Sequence, residues 1–251
     1  MSGHSKWKTI QHKKGSEDAK RGRIFSKLSR EISIASRAGG ADPNMNPSLR
    51  ALLHKAHSAN MPAENIERAI KKGTGELAGA KLEEVIYEGY ATGGIAMIVK
   101  VLTDNKNRAA ADIRHIFTRF GSNLATQGAV MRNFRRKGQI LVDASKVEED
   151  KLFSIVLDAG AEDMQKDNNI FEIVTIPQNF NDVVEALEKA NIPTLNSEIT
   201  LLPISTVPIS EKAAASTITK FIEALEDSDE VQDVYTNVDF DDAILKELEE
   251  K

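Results

Sequence analysis

The sequence predicts an α+β fold: an N-terminal three-helix domain followed by two ferredoxin-like α/β domains, one inserted in the other. Three observations carry this. Apolar residues recur at helical spacing through the first 72 residues. The pattern then changes to short strands alternating with helices. Residues 139–203 give the order βαββαβ, that of the split βαβ unit.

Taken in order, residues 1–16 are polar and basic without an apolar period, which predicts a flexible arm. Over 17–37, Ile24, Phe25, Leu28, Ile32 and Ala35 form one apolar stripe on a basic helix, and Ala38-Gly39-Gly40 ends it. A second helix has Asn46 placed as N-cap and Pro47 at its first position, with Leu49, Leu52, Leu53 and Ala56 inward. Asn60-Met61-Pro62 breaks it. A third helix runs to Lys72 with Ile66, Ala69 and Ile70 inward. Gly73 is its expected C′ residue, and Lys71 and Lys72 sit favourably at the negative end of the helix dipole. Three such helices can bury one another's stripes, which makes 17–78 a helical domain.

After a linker over 74–79, residues 84–90 and 95–102 read as strands split by Ala91-Thr92-Gly93-Gly94. A helix over 106–120 keeps Ala109, Ile113, Ile116 and Phe117 at helical spacing. The βαββαβ stretch consists of a strand over 139–142, a helix over 146–159, two strands about the turn Lys166-Asp167-Asn168-Asn169, a helix over 180–190 and a strand over 194–202. A short strand near Thr206, a helix over 211–226 and a strand over 231–237 remain, and by element counting they pair with the earlier ββα. The expected divisions are therefore a middle domain of 79–137 plus 204–240, an inserted domain of 138–203 and an acidic tail of 241–251.

Charge is divided unevenly along the chain. Residues 1–72 carry 15 Lys/Arg against 6 Asp/Glu, and 73–251 carry 18 against 32, so a formal net charge of −5 conceals a basic N-terminal part. Phosphate backbones respond to local cationic clusters through counterion release, so the segment matters more than the mean. The candidate nucleic-acid-binding residues are Lys6, Trp7, Lys8, His12, Lys13, Lys14, Lys20, Arg21, Arg23 and Lys27, joined by Arg68, Lys71 and Lys72 of the third helix. Arg30 closes the same basic run. Lys and Arg would neutralise phosphates, and Trp7 could stack on an unpaired base, a contact worth about 1–3 kcal/mol. Nothing reads as a base-recognition code, so phosphate contact is the expectation. A second basic cluster comprises Arg108, Arg114, His115, Arg119, Arg132, Arg135, Arg136 and Lys137. It reads equally as a solvated helix face with turn charges or as an extension of the first surface.

Other classes are disfavoured. Apolar content of 41% with 28% charged residues is ordinary globular composition. The absence of cysteine removes disulfides, thiolate metal sites and a cysteine nucleophile. His54 and His57 lack a His-Glu-x-x-His context, so no metal is expected. No nucleophile elbow, phosphate loop or dinucleotide fingerprint occurs, so neither enzyme activity, cofactor nor small-molecule substrate is expected. No apolar run approaches 18 residues and the N-terminus has no hydrophobic leader, which predicts a cytoplasmic protein with no membrane partner. Without a long apolar seam, a monomer is expected.

Several stretches together resemble the YebC/PmpR family. They are Gly3-His4-Ser5-Lys6-Trp7, His12-Lys13-Lys14, Asp18-Ala19-Lys20-Arg21-Gly22, Asn46-Pro47, Asn60-Met61-Pro62, the run from Asn65 through Lys72 to Gly75, Tyr87-Glu88-Gly89-Tyr90 and Thr103-Asp104-Asn105. The resemblance implies a cytoplasmic protein of one helical and two α/β domains. It implies DNA-binding transcriptional regulation, with promoter DNA as partner. It equally implies translation, with ribosomal RNA or the ribosome as partner and action on stalls at proline-rich stretches.

Overall fold

The computed structural model describes residues 17–78, 81–241 and 244. The residues group into two compact units, one from 17–129 with 211–234 and the other from 130–210 with 235 onward. The arm over 1–16, with Lys6, Trp7, Lys8, His12, Lys13 and Lys14, lies outside the described residues, as does most of the acidic tail.

The first unit begins with helices α1 (Glu17–Gly39), α2 (Pro47–Ser58) and α3 (Ala63–Thr74). Their stripes meet as the spacing requires: Leu28, Ile32, Leu49, Ala56, Met61, Ile66 and Ala69 are buried together. Asn46 caps α2 by accepting from the Leu49 N–H at 3.0 Å. Its side-chain amide donates to the Ala35 and Gly40 carbonyls, both at 2.9 Å, so one buried residue ties the end of α1 to the start of α2.

The third helix ends later than its sequence implies. Gly73 lies within α3 and is buried, while Gly75, at φ 85°, supplies the left-handed cap. A Cβ on Gly73 would stand 2.3 Å from the Ser33 carbonyl oxygen and 2.8 Å from the Ser36 Cβ of α1. Gly73 is there for close helix approach, and Gly75 for the turn.

Strands β1 (Glu83–Ala91) and β2 (Ile95–Thr103) form an antiparallel hairpin, followed by α4 (Lys106–Arg119) and the two-residue β3 (Asn123–Leu124). With β9 (Val231–Thr236), which arrives after α7 (Lys212–Glu226), the sheet order is β3-β1-β2-β9. Every residue of β2 except Lys100 is buried, the mark of a strand covered on both faces. Helices α4 and α7 meet through Phe117 edge-on to Phe221 at 5.0 Å and Phe120 stacked on Phe221 at 4.9 Å.

In the second unit, β4 (Phe134–Asp143), α5 (Glu149–Asp158), β5 (Ala161–Asp167), β6 (Ile170–Thr175), α6 (Phe180–Lys189) and β7 (Thr194–Pro203) realise the βαββαβ order. The sheet order is β5-β6-β4-β7, the ferredoxin-like arrangement, over a core of Ile140, Val142, Leu152, Val156, Phe171, Ile173, Val183 and Leu187. Strand β4 starts at Phe134, several residues before the apolar run at 139, because its basic beginning pairs with β7: Arg135 opposite Leu202, Arg136 opposite Leu201, Lys137 opposite Thr200.

The short strand β8 (Val207–Ile209) does not join the first sheet. It pairs in parallel with β10 (Val238–Phe240) as a two-stranded ribbon. Pro208 at its centre offers no N–H and so suits an edge rather than a sheet interior.

Candidate nucleic-acid interface

Among the described residues, the sequence-predicted cations of the N-terminal part lie on two neighbouring helices. Arg21, Arg23 and Lys27 project from α1, and Arg68, Lys71 and Lys72 from α3. Lys20 lies on the backbone of α1. All of those with described side chains are exposed except Lys27, which is half-buried. The helices can bring this much charge together because their contact is built from small residues: Gly73 against Ser33 and Ser36.

Several of these cations already have exposed partners. Arg68 pairs with Glu64 at 2.6 Å and Lys71 with Glu67 at 3.8 Å, one helical turn apart, and Arg23 pairs with Asp227. Such exposed pairs hold about 0.2–1 kcal/mol each and exchange readily for a phosphate. Among the described residues, Arg21 and Lys72 make no ion pair.

Between α1 and α3 runs a groove of about 540 Å³. Its walls carry Ser26, Ser29, Ser33 and Arg30 from α1 and Asn65, Arg68 and Lys72 from α3, with no carboxylate among them. In the sequence Arg30 is one cation of the basic run among many. The spacing of Ser26, Ser29 and Ser33, a polar stripe beside the apolar one, was the available signal.

The second basic cluster divides between the two units. On α4, Arg108, His115 and Arg119 share one exposed stripe with Asp112, and Arg114 projects elsewhere. Arg108 is held by Glu230 at 2.5 Å and Asp104 at 2.6 Å, and hydrogen bonds to both raise its pKa above the ordinary arginine value. Arg119 lies 5.6 Å from the centre of the Phe120 ring. In the other unit, Arg135 donates to the Arg132 and Phe134 carbonyls, Lys137 pairs with Glu162 at 2.5 Å, and Arg132 and Arg136 are exposed. The cluster is thus two local sets, and much of its charge is engaged within the protein.

Two further carboxylates take buried positions whose roles the sequence does not reveal. Glu88, buried on β1, accepts from the Gly128 N–H at 2.5 Å and through its carbonyl from the Ala125 N–H at 2.8 Å, pinning the loop after β3. Glu31 of α1 is largely buried, which raises its carboxyl pKa against the lowering effect of Lys55, Lys100 and Lys27. Lys100 on β2 is pulled down by burial, but Glu84, Asp233 and Glu31 outweigh this and hold it above its ordinary value.

A helical N-terminal body followed by antiparallel sheets, with cations gathered along two of the helices, defines a mixed helix-and-sheet protein with a basic helical part. The model of the TACO1/YebC protein N-terminal domain matches residues 5–76, and that of the TACO1/YebC second and third domain matches 82–238. The chain belongs to the TACO1/YebC family. It is 47% identical to a probable transcriptional regulatory protein of Halothermothrix orenii over 100% of both chains, and 51% identical to one of Desulfatibacillum aliphaticivorans over 97% of this chain and 99% of that one. A solved structure of a conserved hypothetical protein from Aquifex aeolicus superposes with a TM-score of 0.81 at 48% identity, covering 90% of this chain and 93% of that chain. The relatives' names support a regulatory family. No helix among the described residues is long and apolar enough to cross a membrane.

Proposed function

We propose that this protein is a regulator that binds nucleic acid through its phosphate backbone. Its arm over 1–16 and helical domain over 17–78 form the binding part, and the domains of 79–137 with 204–240 and of 138–203 carry it. The observation that supports this most is the placement of Arg21, Lys27, Arg68 and Lys72 on the two packed helices α1 and α3, in a chain whose remainder over 73–251 is acidic. In this reading the arm adds Lys6, Lys8, His12, Lys13, Lys14 and the stacking ring of Trp7, while Lys20, Arg23 and Lys71 complete the phosphate-facing set. The protein works in the cytoplasm as a monomer, without cofactor or catalytic step. The names of its relatives favour transcriptional regulation on DNA. Footprinting on promoter DNA tests this: protection confined to defined sites upholds it, and protection spread evenly over all sequences removes sequence-specific regulation.

The charge division favours a second reading, a translation factor on the ribosome. An acidic body repels the flanks of a long duplex, whereas a compact RNA fold can be met by the basic helices alone, through shape and phosphate contacts. Sedimentation with ribosomes at physiological salt is expected in this case, and its absence counts against it.

A further inference from the structure

Resting on that backbone-binding reading, we infer that the groove between α1 and α3 is a specific seat for one ribose-phosphate unit of RNA, with Arg30 as its deepest ligand. The Nη1 of Arg30 is buried and has no hydrogen-bond partner. A guanidinium is fully charged at any physiological pH, so a buried N–H of this group without an acceptor is unfavourable until something supplies one. The groove supplies no carboxylate. It does bring Arg68 and Lys72 alongside, so the field inside it is positive from both helices. Glu64 compensates Arg68 from outside the groove, and Arg30 and Lys72 are the lining cations that make no ion pair among the described residues.

The remaining polar groups identify what the acceptor is attached to. Among the described residues, the Ser26 and Ser29 hydroxyls and the Asn65 side-chain amide make no hydrogen bond, yet all three line the groove. A bare inorganic anion can accept from hydroxyls and an amide as well as from arginine and lysine, but it fills only a small part of a groove of about 540 Å³. A nucleotide backbone uses both kinds: the phosphate takes the guanidinium of Arg30, whose buried Nη1 must turn into the groove to donate, and a neighbouring hydroxyl-bearing sugar exchanges hydrogen bonds with serine groups that both donate and accept. The 2′-hydroxyl is the group through which a protein tells RNA from DNA, and an unused hydroxyl ladder beside a phosphate site is the arrangement that reads it. Phe25, Ala69 and Leu82 also line the groove and give a sugar ring an apolar surface beside the cations.

The test uses the full chain with a hairpin RNA bearing a single-stranded loop and a DNA of the same sequence. Affinities are measured by fluorescence anisotropy across a series of salt concentrations. Arg30→Gln is expected to weaken RNA binding about tenfold at 0.1 M salt and to lower the slope of log K against log salt by about 0.7–0.9, one phosphate contact. DNA binding is expected to change less than threefold. Ser26→Ala with Ser29→Ala is expected to narrow the gap between RNA and DNA without altering the slope. Thermal unfolding without nucleic acid separates a ligand role from a structural one. An arginine waiting for a ligand leaves the midpoint of Arg30→Gln unchanged or raised, and a lowered midpoint assigns Arg30 to structure. Arg30→Lys, which keeps the charge but not the fork, is expected to restore the slope and only part of the affinity. Unchanged RNA affinity and slope in Arg30→Gln overturns the groove while leaving backbone binding standing. An equal loss on DNA overturns the RNA assignment. Wild-type protein that binds neither probe overturns the parent reading as well.

Discussion

Gly73 and Asn46 both set the shape of the helical domain at the C-terminal end of α1. A methyl group at position 73 has nowhere to go, since the nearest atoms are backbone of α1 at 2.3 Å, and only separation of the two helices relieves it. Gly73→Ala is therefore expected to destabilise the protein by about 1–3 kcal/mol through overpacking, read as a lower urea midpoint. An unchanged midpoint would show that α1 and α3 are not held at this spacing. Asn46→Ala loses an N-cap and leaves the Ala35 and Gly40 carbonyls without their donor, for an expected cost of about 2–3 kcal/mol. Asn46→Asp keeps the cap and loses only the two donated bonds, so it is expected to fall between. The cap was legible, because Asn followed by Pro at the head of an apolar stripe is a local signal. The purpose of Gly73 was not, because a glycine near a helix end reads as a terminator until the neighbouring helix is in place.

At the scale of elements, α1 is coupled electrostatically to the sheet of its own unit. Glu31 of α1 is faced by Lys55 of α2, Lys100 of β2 and Asp233 of β9, with Lys27 on its own helix. Burial raises its pKa above the ordinary 4.5. A carboxyl whose folded pKa exceeds its unfolded value adds stability that is fully present below the unfolded pKa and is lost as pH rises through the folded one. Glu31→Gln should then raise the urea midpoint at pH 7.5 relative to wild type, with the difference disappearing towards pH 4. A variant that is less stable at pH 7.5 would show that the charge of Glu31 is needed beside Lys100. Such contacts are invisible in sequence, as are the pairings of short strands. The ferredoxin-like order followed from alternating periods over 139–203, yet the basic start of β4 is a strand only because β7 lies beside it. Likewise β8 left the expected sheet because three residues around a proline cannot compete for an interior place. The groove beside Arg30 was half legible: its serines keep helical spacing, but only the packing of α3 turns that spacing into a wall.

For the whole molecule, the division of charge sets how binding must depend on salt. In the proposed binding mode, cations on the arm and on α1 and α3 would contribute to affinity by displacing counterions, while the acidic remainder would contribute repulsion that salt screens. The two effects oppose each other. If the acidic domains lay close to the bound backbone, raising salt would relieve repulsion and flatten the measured slope. If the basic part is presented clear of them, the slope should count its phosphate contacts. Lys13→Ala with Lys14→Ala removes two cations of the basic segment over 1–16. The double variant is expected to lower the slope of log K against log salt by about 1.4–1.8 on RNA, two contacts' worth, while the urea midpoint stays within error of wild type. Combined with Arg30→Gln, the slope losses should add, since the arm and the groove would hold different phosphates. A combined loss no greater than either alone would mean that arm and groove compete for one phosphate, and the basic part would then be a single site.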